Sequence, residues 1–402
     1  MIIAVDEFAT PRPIAGWRIV FTTFCMAVFA WGLGFYALSV YAQYLAQAGH
    51  FSAALLSAAS TWFFLVGAGA LYAVDAAVAR IGRRPAVLAG VLLLAGGAAL
   101  LPQLRSPVAL FVVYGAMAFG WAATSGTAIT QIVGTWFVAR RGLALNLALT
   151  GASVAGFVVV PAMVAAIASF GLGPGIALVA AALGIGLGLL LVLNLREPQA
   201  VLDAGAAAAG AAAAAGPLPM DARLLAMAAL FGIGWLAQVA FLAQQLPLLV
   251  PRVGAAAATA AVAATTAASM LGRLLLASVV DRLDHRRVTA ASFALQAVGM
   301  GLMLLGGGPL PVIAGSALVG ASVGNLITMP ALFAQREFAP QHYAAVITRV
   351  WSVGQVLYAF GPLAAGLLLT TSGSATLPLL ACLACQLLAA ALALWRPRGK
   401  PL

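Results

Sequence analysis

The chain has 402 residues, of which 64% are hydrophobic and only 7% are charged. A soluble domain averages about 25% charged residues, so the composition excludes a water-soluble protein and indicates a chain that crosses a membrane many times. A net charge of +11 would point to nucleic acid in a soluble protein; here the placement of the charges gives it another meaning.

Taken in order, the N-terminus carries Asp6, Glu7 and Arg12 before a long apolar run that starts at Trp17. That run is too long for a signal-peptide core and is expected to remain as a membrane span. Apolar segments of spanning length recur at 17–46, 52–78, 86–104, 107–137, 142–169, 174–195, 223–250, 255–280, 288–307, 310–335, 343–371 and 375–395. Twelve spans put both termini on one side. Between the sixth and seventh, the alanine- and glycine-rich run Ala204–Gly216 ends at Pro217 and reads as a tether. The expected organisation is a bundle over 1–195, a linker over 196–222 and a second bundle over 223–402.

Arg and Lys decide orientation. With both termini inside, sixteen of the twenty basic residues fall on the cytoplasmic side, Arg105 and Arg252 fall outside, and Arg273 and Arg349 fall within spans. The basic excess is the positive-inside signal of a cell inner membrane protein and not a nucleic-acid footprint. All nine acids sit at or near the same face. No carboxylate is expected at mid-membrane depth.

Arg273 is the exception to a neutral interior. It lies eight positions before Asp281, about 12 Å along a helix. With a hydrocarbon core of roughly 30 Å, a surface at Asp281 puts Arg273 near the midplane. A charge at that depth is costly and faces a bundle interior or an aqueous cavity. It could hold an anionic substrate by a charge-assisted hydrogen bond, or it could be structural, bonded to helix carbonyls.

The halves repeat. Ala79-Arg80-Ile81-Gly82-Arg83-Arg84 follows the second span, and Asp281-Arg282-Leu283-Asp284-His285-Arg286-Arg287 follows the eighth, half a chain later. Gly151 and Pro161 of span five are echoed by Gly354 and Pro362 of span eleven. Two facing six-helix halves are the architecture of alternating access. On these residues the chain resembles the major facilitator superfamily over essentially its full length. That family carries a Gly-x-x-x-Asp-Arg-x-Gly-Arg-Arg/Lys signature between spans two and three. Here Arg80, Gly82, Arg83 and Arg84 match it, Ala79 stands at the Asp, and Asp75 stands at the leading Gly, one helical turn earlier. The second-half copy keeps Asp281-Arg282. Trp136-Phe137 before Arg140-Arg141-Gly142, together with Gly272-Arg273, is similar to the monocarboxylate transporter and oxalate–formate antiporter branch. That branch holds a substrate carboxylate with an arginine at the latter position. Some members place an Asp four residues before it, where this chain has Ser269.

The resemblance implies an all-α polytopic membrane protein, with twelve transmembrane helices in two pseudo-symmetric six-helix bundles. Its implied activity is secondary transport of a small organic anion, monocarboxylate-like, with a proton as the coupling ion to test. The expected substrate residues are Arg273, Tyr36, Tyr114, Asn325 and Tyr358. The expected cytoplasmic gate is Asp75, Arg80, Arg83, Arg84, Arg140, Arg141, Asp281, Arg282 and Arg349. Within it, Asp75 pairs with Arg349 (which could equally snorkel to the interface) and Asp281 with Arg140 or Arg141. Other polar side chains in the spans, such as Trp121, Gln131, Gln238, Gln296 and Gln355, are read mainly as helix-packing hydrogen bonds. Cys382 and Cys385 form a CxxC read as packing. His50, His285 and His342 lack metal-ligand spacing, and no phosphate loop or catalytic signature is present. Neither cofactor nor enzymatic activity is expected, and a monomer in the lipid bilayer is. Efflux of a drug or metabolite is the alternative within transport, disfavoured by the missing embedded acid. A non-transporting membrane sensor is the alternative of another class.

Overall fold

The computed structural model describes residues 13–137, 140–195, 222–277 and 280–395. Among them, twelve helices are long and apolar enough to cross a membrane: α1 Gly16–Gln47, α2 Ala58–Ile81, α3 Arg83–Gln103, α4 Pro107–Trp136, α5 Arg141–Phe170, α6 Leu172–Asn194, α7 Ala222–Gly254, α8 Ala256–Leu276, α9 His285–Leu305, α10 Pro309–Leu326, α11 Pro340–Ser372 and α12 Thr376–Leu394. The expected linker lies, apart from Ala222, outside the described residues, as do Arg12, Arg196, Arg396, Arg398, Lys400 and the side chain of Asp281. The chain reverses at each turn. Both described ends therefore lie on the face that carries Arg80, Arg83, Arg84, Arg140, Arg141 and Arg282, called here the basic face. At the opposite face, α7 turns into α8 at Gly254, whose φ of 80° is a left-handed value that favours glycine.

Spacing within each half is set by glycine. Apolar side chains gain little by leaving lipid for another helix, so helices in a membrane associate where small residues let backbones approach. A Cβ built on Gly151 of α5 would stand 2.2 Å from the Phe24 carbonyl oxygen of α1, and one on Gly120 of α4 would stand 2.6 Å from the Gly90 carbonyl oxygen of α3. The second half repeats both pairings. Gly354 of α11 meets the Trp235 ring of α7, and Gly315 of α10 meets the Gly299 carbonyl of α9. In each half the first helix thus packs on the fifth and the third on the fourth, which is the pseudo-symmetry the repeated loops imply. Outward faces carry exposed leucine, isoleucine and valine, among them Leu92, Val112, Ile185, Leu275, Leu305 and Leu310, as a bilayer requires.

Several spans read as single helices are broken. Span four divides at Ser125, which is extended (φ −93°, ψ −160°) between Pro107–Thr124 and Gly126–Trp136. Span ten stops at Leu326 and resumes as Met329–Glu337, with Pro330 in its first turn. Span eleven divides at Phe360 ahead of Gly361 and Pro362. A proline has no N–H to continue the ladder, so the last two breaks have a local cause. Within α1, Gly32–Tyr36 winds as a π-helix, an arrangement frequent at functional sites.

At the basic face of the second half, Glu337 gathers three elements. It takes hydrogen bonds from Arg286 Nε at 2.7 Å and from Arg286 Nη2, and it pairs with His285 Nε2 at 2.6 Å. Arg286 Nη1 donates onward to the carbonyls of Ala393 at 3.1 Å and Trp395 at 2.6 Å, beside the end of α12. Burial works to raise the Glu337 carboxyl, but the hydrogen bonds and charges of His285 and Arg286 outweigh it and hold the group below its ordinary value.

Glycine spacing makes a paired prediction. A Cβ at Gly272 of α8 would lie 1.9 Å from the Ala321 carbonyl oxygen of α10, whereas one at Gly69 of α2 meets nothing within 4 Å. Gly272→Ala should destabilise the purified protein by about 1–3 kcal/mol, the usual cost of overpacking, and Gly69→Ala should not. Melting temperatures in one detergent decide it: equal values for the two variants would show that backbone contact does not set the helix spacing.

Candidate functional site

The two halves meet along α2, α4 and α5 on one side and α8 and α11 on the other. They are joined by layers of hydrogen bonds and ring contacts that run from the basic face toward mid-span. Nearest that face, the Arg141 guanidinium lies 4.6 Å from the Tyr343 ring centroid. Its Nε and Nη2 donate to the carbonyls of Phe137 at 2.8 Å and Gly134 at 2.7 Å. One layer deeper, the Asp75 carboxylate accepts from Thr348 Oγ1 at 2.6 Å and from Gln131 Nε2 at 3.1 Å. Deeper again, Ser352 Oγ donates to the Ala68 carbonyl at 2.8 Å, and Gln355 Nε2 donates to the Phe64 carbonyl at 2.9 Å. Trp351 fits between the halves because Gly126 opposite has no side chain; a Cβ there would lie 2.7 Å from the indole. Its other face packs on Trp235, 4.7 Å between centroids.

This ladder differs from the expected gate in its partners. The sequence pairs Asp75 with Arg349; in the structure Asp75 meets α11 one residue earlier, at Thr348, and lines a small cavity with Arg83 and Gln131. Thr348 faces the other half and is buried, while its neighbour Arg349 is half-buried. Successive helical residues cannot share a face, so only one of the two can point squarely at Asp75. Arg141 serves as a cap on the end of α4 and a cation over Tyr343. Its expected partner Asp281 has its side chain outside the described residues. Arg80, Arg140 and Arg282 are exposed and Arg84 is half-buried.

Arg273 of α8, three residues before the end of that helix at Leu276, is 1% exposed. Its Nη1 donates to the Leu149 carbonyl of α5, in the opposite half. Gly324 of α10 backs onto the guanidinium, where a Cβ would lie 2.7 Å from Nε. Nε itself has no hydrogen-bond partner. Tyr36, at the end of the π-helix, is close enough for its hydroxyl and the guanidinium to interact electrostatically. No carboxylate pairs with Arg273 among the described residues. The Asn325 amide donates to its own helix at Ala321, and its Oδ1 is buried without a partner.

Of the other expected substrate residues, Tyr358 lies at the interface. Its hydroxyl donates to Gln355 Oε1 at 3.2 Å, and its ring meets Phe64 of the other half edge-on at 5.4 Å. Tyr114 is displaced from expectation: it is fully buried inside the first half, against Phe63. A tyrosine in an apolar span reads the same whether its hydroxyl faces a cavity or a neighbouring helix. Four residues the sequence did not single out as a set complete the region. Phe35, Phe64 and Trp121 form an aromatic group beside Tyr36, and Trp351 fills the space opposite Gly126 between the halves. The glycine pair in Gly32-Leu33-Gly34-Phe35-Tyr36 and the glycine facing Trp351 were the available signals. No group of three or more His, Cys, Asp or Glu that could hold a metal converges among the described residues.

The family model described as Major Facilitator Superfamily matches residues 20–348. Among solved structures, the human organic anion transporter MFSD10 (TETRAN) superposes with a TM-score of 0.70 at 16% identity, over 95% of this chain and 100% of that one. The E. coli fucose:proton symporter FucP superposes with a TM-score of 0.68 at 17% identity, over 94% and 98%. A crystal structure of FucP in the outward conformation gives 0.67 at 15%, over 94% and 99%. No curated protein matches the sequence. At these identities the likeness establishes the fold.

The Asp75 layer can be tested directly. Asparagine keeps one acceptor oxygen but loses the charge, and hydrogen bonds to a charged group contribute about 1.5–3 kcal/mol each. Asp75→Asn should therefore shift the population toward separation of the basic ends of α2 and α11. Double electron–electron resonance between spin labels at the exposed positions Ala79 and Ala344 reads that distance. A distribution identical to that of the unsubstituted protein would remove Asp75 from the closure.

Proposed function

The chain belongs to the Major Facilitator Superfamily, whose members are secondary transporters and not enzymes, and from that premise we propose that it moves a small organic anion, monocarboxylate-like, by alternating access. The observation that carries this reading is Arg273: a guanidinium 1% exposed, at the junction of the halves, with an unpartnered Nε and no carboxylate beside it among the described residues. An anion arriving there supplies the charge that the protein does not. Leaving such a charge uncompensated at depth costs several kcal/mol, so a carboxylate is favoured over neutral or cationic ligands of similar size.

The geometry also supports an order of events. With the halves joined from mid-span to the basic face, the substrate enters from the opposite face and reaches Arg273, Tyr36 and Asn325. Passage across requires the Asp75–Thr348, Ser352–Ala68 and Gln355–Phe64 bonds and the Arg141–Tyr343 contact to separate. Arg273 links substrate to closure, because the same guanidinium donates to Leu149 of the opposite half. A carboxylate that draws the guanidinium toward itself weakens that bond. By the positive-inside rule the basic face, and both termini with it, is assigned to the cytoplasm of a cell inner membrane. Tyr114 is left out of the site.

Arg273→Gln tests the reading. Loss of a charge-assisted bond should weaken carboxylate binding by about 1.5–3 kcal/mol, roughly 10- to 150-fold. Lysine should rescue only in part, because a point charge does not reproduce the planar fork. Affinity and melting temperature are to be measured on one preparation. A well-folded Arg273→Gln protein with intact anion affinity would reject the carboxylate site and favour efflux of a drug or metabolite.

A further inference from the structure

Rings cluster beside Tyr36, near Arg273. Phe35 stacks on Trp121 at 6.5 Å and 25°, meets Phe64 at 6.0 Å, and meets Tyr36 edge-on at 5.3 Å. Phe64 continues to Tyr358 of the other half at 5.4 Å. Trp121 and Tyr358 are buried, whereas Phe35, Tyr36 and Phe64 each keep part of their surface open. Phe64 touches Tyr358 of the opposite half, so this group of rings stands at the junction of the halves. The π-helix Gly32–Tyr36 produces this arrangement. An extra residue in the turn shifts Phe35 and Tyr36 from where a regular helix would hold them, and Gly34 lets the Trp121 ring lie against the backbone, where a Cβ would be 2.7 Å away.

The polar atoms among these rings are already engaged. The Trp121 indole N–H donates to Gln355 Oε1 at 3.4 Å, the Tyr358 hydroxyl donates to the same oxygen, and the Gln355 amide donates to Phe64. Arg273 Nε has no partner, and the Tyr36 hydroxyl takes part in none of the described hydrogen bonds. Charge recognition thus sits at one end and apolar ring faces at the other, with Tyr36 common to both.

We propose that the site takes a carboxylate attached to a flat aromatic body, and that it discriminates against two- and three-carbon acids. This rests on the carboxylate reading of Arg273 and specifies the remainder of the ligand. A short acid held at Arg273 would leave Phe35 and Phe64 facing trapped water. A ring of the ligand displaces that water and packs edge-on or offset against them, the geometry that aromatic pairs prefer.

The test uses the full chain in detergent, with binding followed by thermal shift and by the intrinsic fluorescence of Trp121 and its neighbours. The probes are phenylacetate and benzoate, pyruvate and acetate, and neutral benzyl alcohol. Phenylacetate should bind at least 10-fold more tightly than pyruvate and than benzyl alcohol, and Arg273→Gln should weaken both acids. Phe64→Leu, and independently Phe35→Leu, should reduce the phenylacetate-to-pyruvate affinity ratio at least 5-fold. Pyruvate binding as tightly as phenylacetate would overturn the aromatic specificity and leave the carboxylate reading standing. Benzyl alcohol matching phenylacetate, with both unaffected by Arg273→Gln, would overturn the carboxylate reading. Equal losses for both acids in the two Leu variants would assign the rings to packing and also overturn the proposal. Binding of none of the probes would reject both readings.

Discussion

Arg273 buries a positive charge within the protein and ties it to a carbonyl of the opposite half. Much of the neighbourhood follows from accommodating that one side chain. Gly324 has no side chain because the guanidinium occupies its place. Gly272, the preceding residue, lets α8 come against the backbone of α10, so that the arginine is enclosed by both helices. Leu149 of α5 offers a carbonyl, a neutral acceptor that a guanidinium can exchange for a carboxylate at modest cost. A protein carboxylate in that position would fix the arginine permanently, and none pairs with it among the described residues.

The closure between the halves has the same reversible character. It is built from a cation over a ring, a carboxylate shared by an amide and a hydroxyl, two side-chain-to-carbonyl bonds and a wedged tryptophan. Individual hydrogen bonds between membrane helices are worth only about 0.6 kcal/mol on average, so the layers hold together collectively and can be released in sequence. Large ionic networks would cost more to separate, and the Glu337 cluster shows where the chain does use one. That cluster joins α9, the helix Met329–Glu337 and the end of α12 within a single half, where no separation is needed for transport.

Three of the helix irregularities lie where the two halves act on each other. The π-helix of α1 turns Tyr36 and Phe35 toward the site, and the extended Ser125 of α4 precedes the glycine on which Trp351 rests. The break in α11 at Phe360 comes two residues after Tyr358. Elsewhere α3, α6, α9 and α12 run without interruption, and the exposed apolar side chains of Leu92, Ile185 and Leu305 show these helices bordering lipid. Regular helices suffice against a bilayer, because every backbone group must be satisfied internally there. Irregular backbone is tolerated where the opposite half or an aqueous space can meet the freed groups.

The sequence alone determined the class, the number of spans and the repeat of the halves. Hydropathy, charge placement and the helical rise are properties of the chain taken one segment at a time, and each is legible without knowing which helices touch. Tertiary structure decided which faces meet. Asp75 reaches Thr348 because α11 presents that residue to the first half. Tyr114 and Tyr358 look alike in sequence, yet one lies inside a bundle and the other between bundles. The aromatic group beside Tyr36 needed an extra residue in one helical turn, and no hydropathy pattern records it. Helix rotation and crossing are set by glycines on both partners at once, so only their joint packing fixes which side chain stands opposite which.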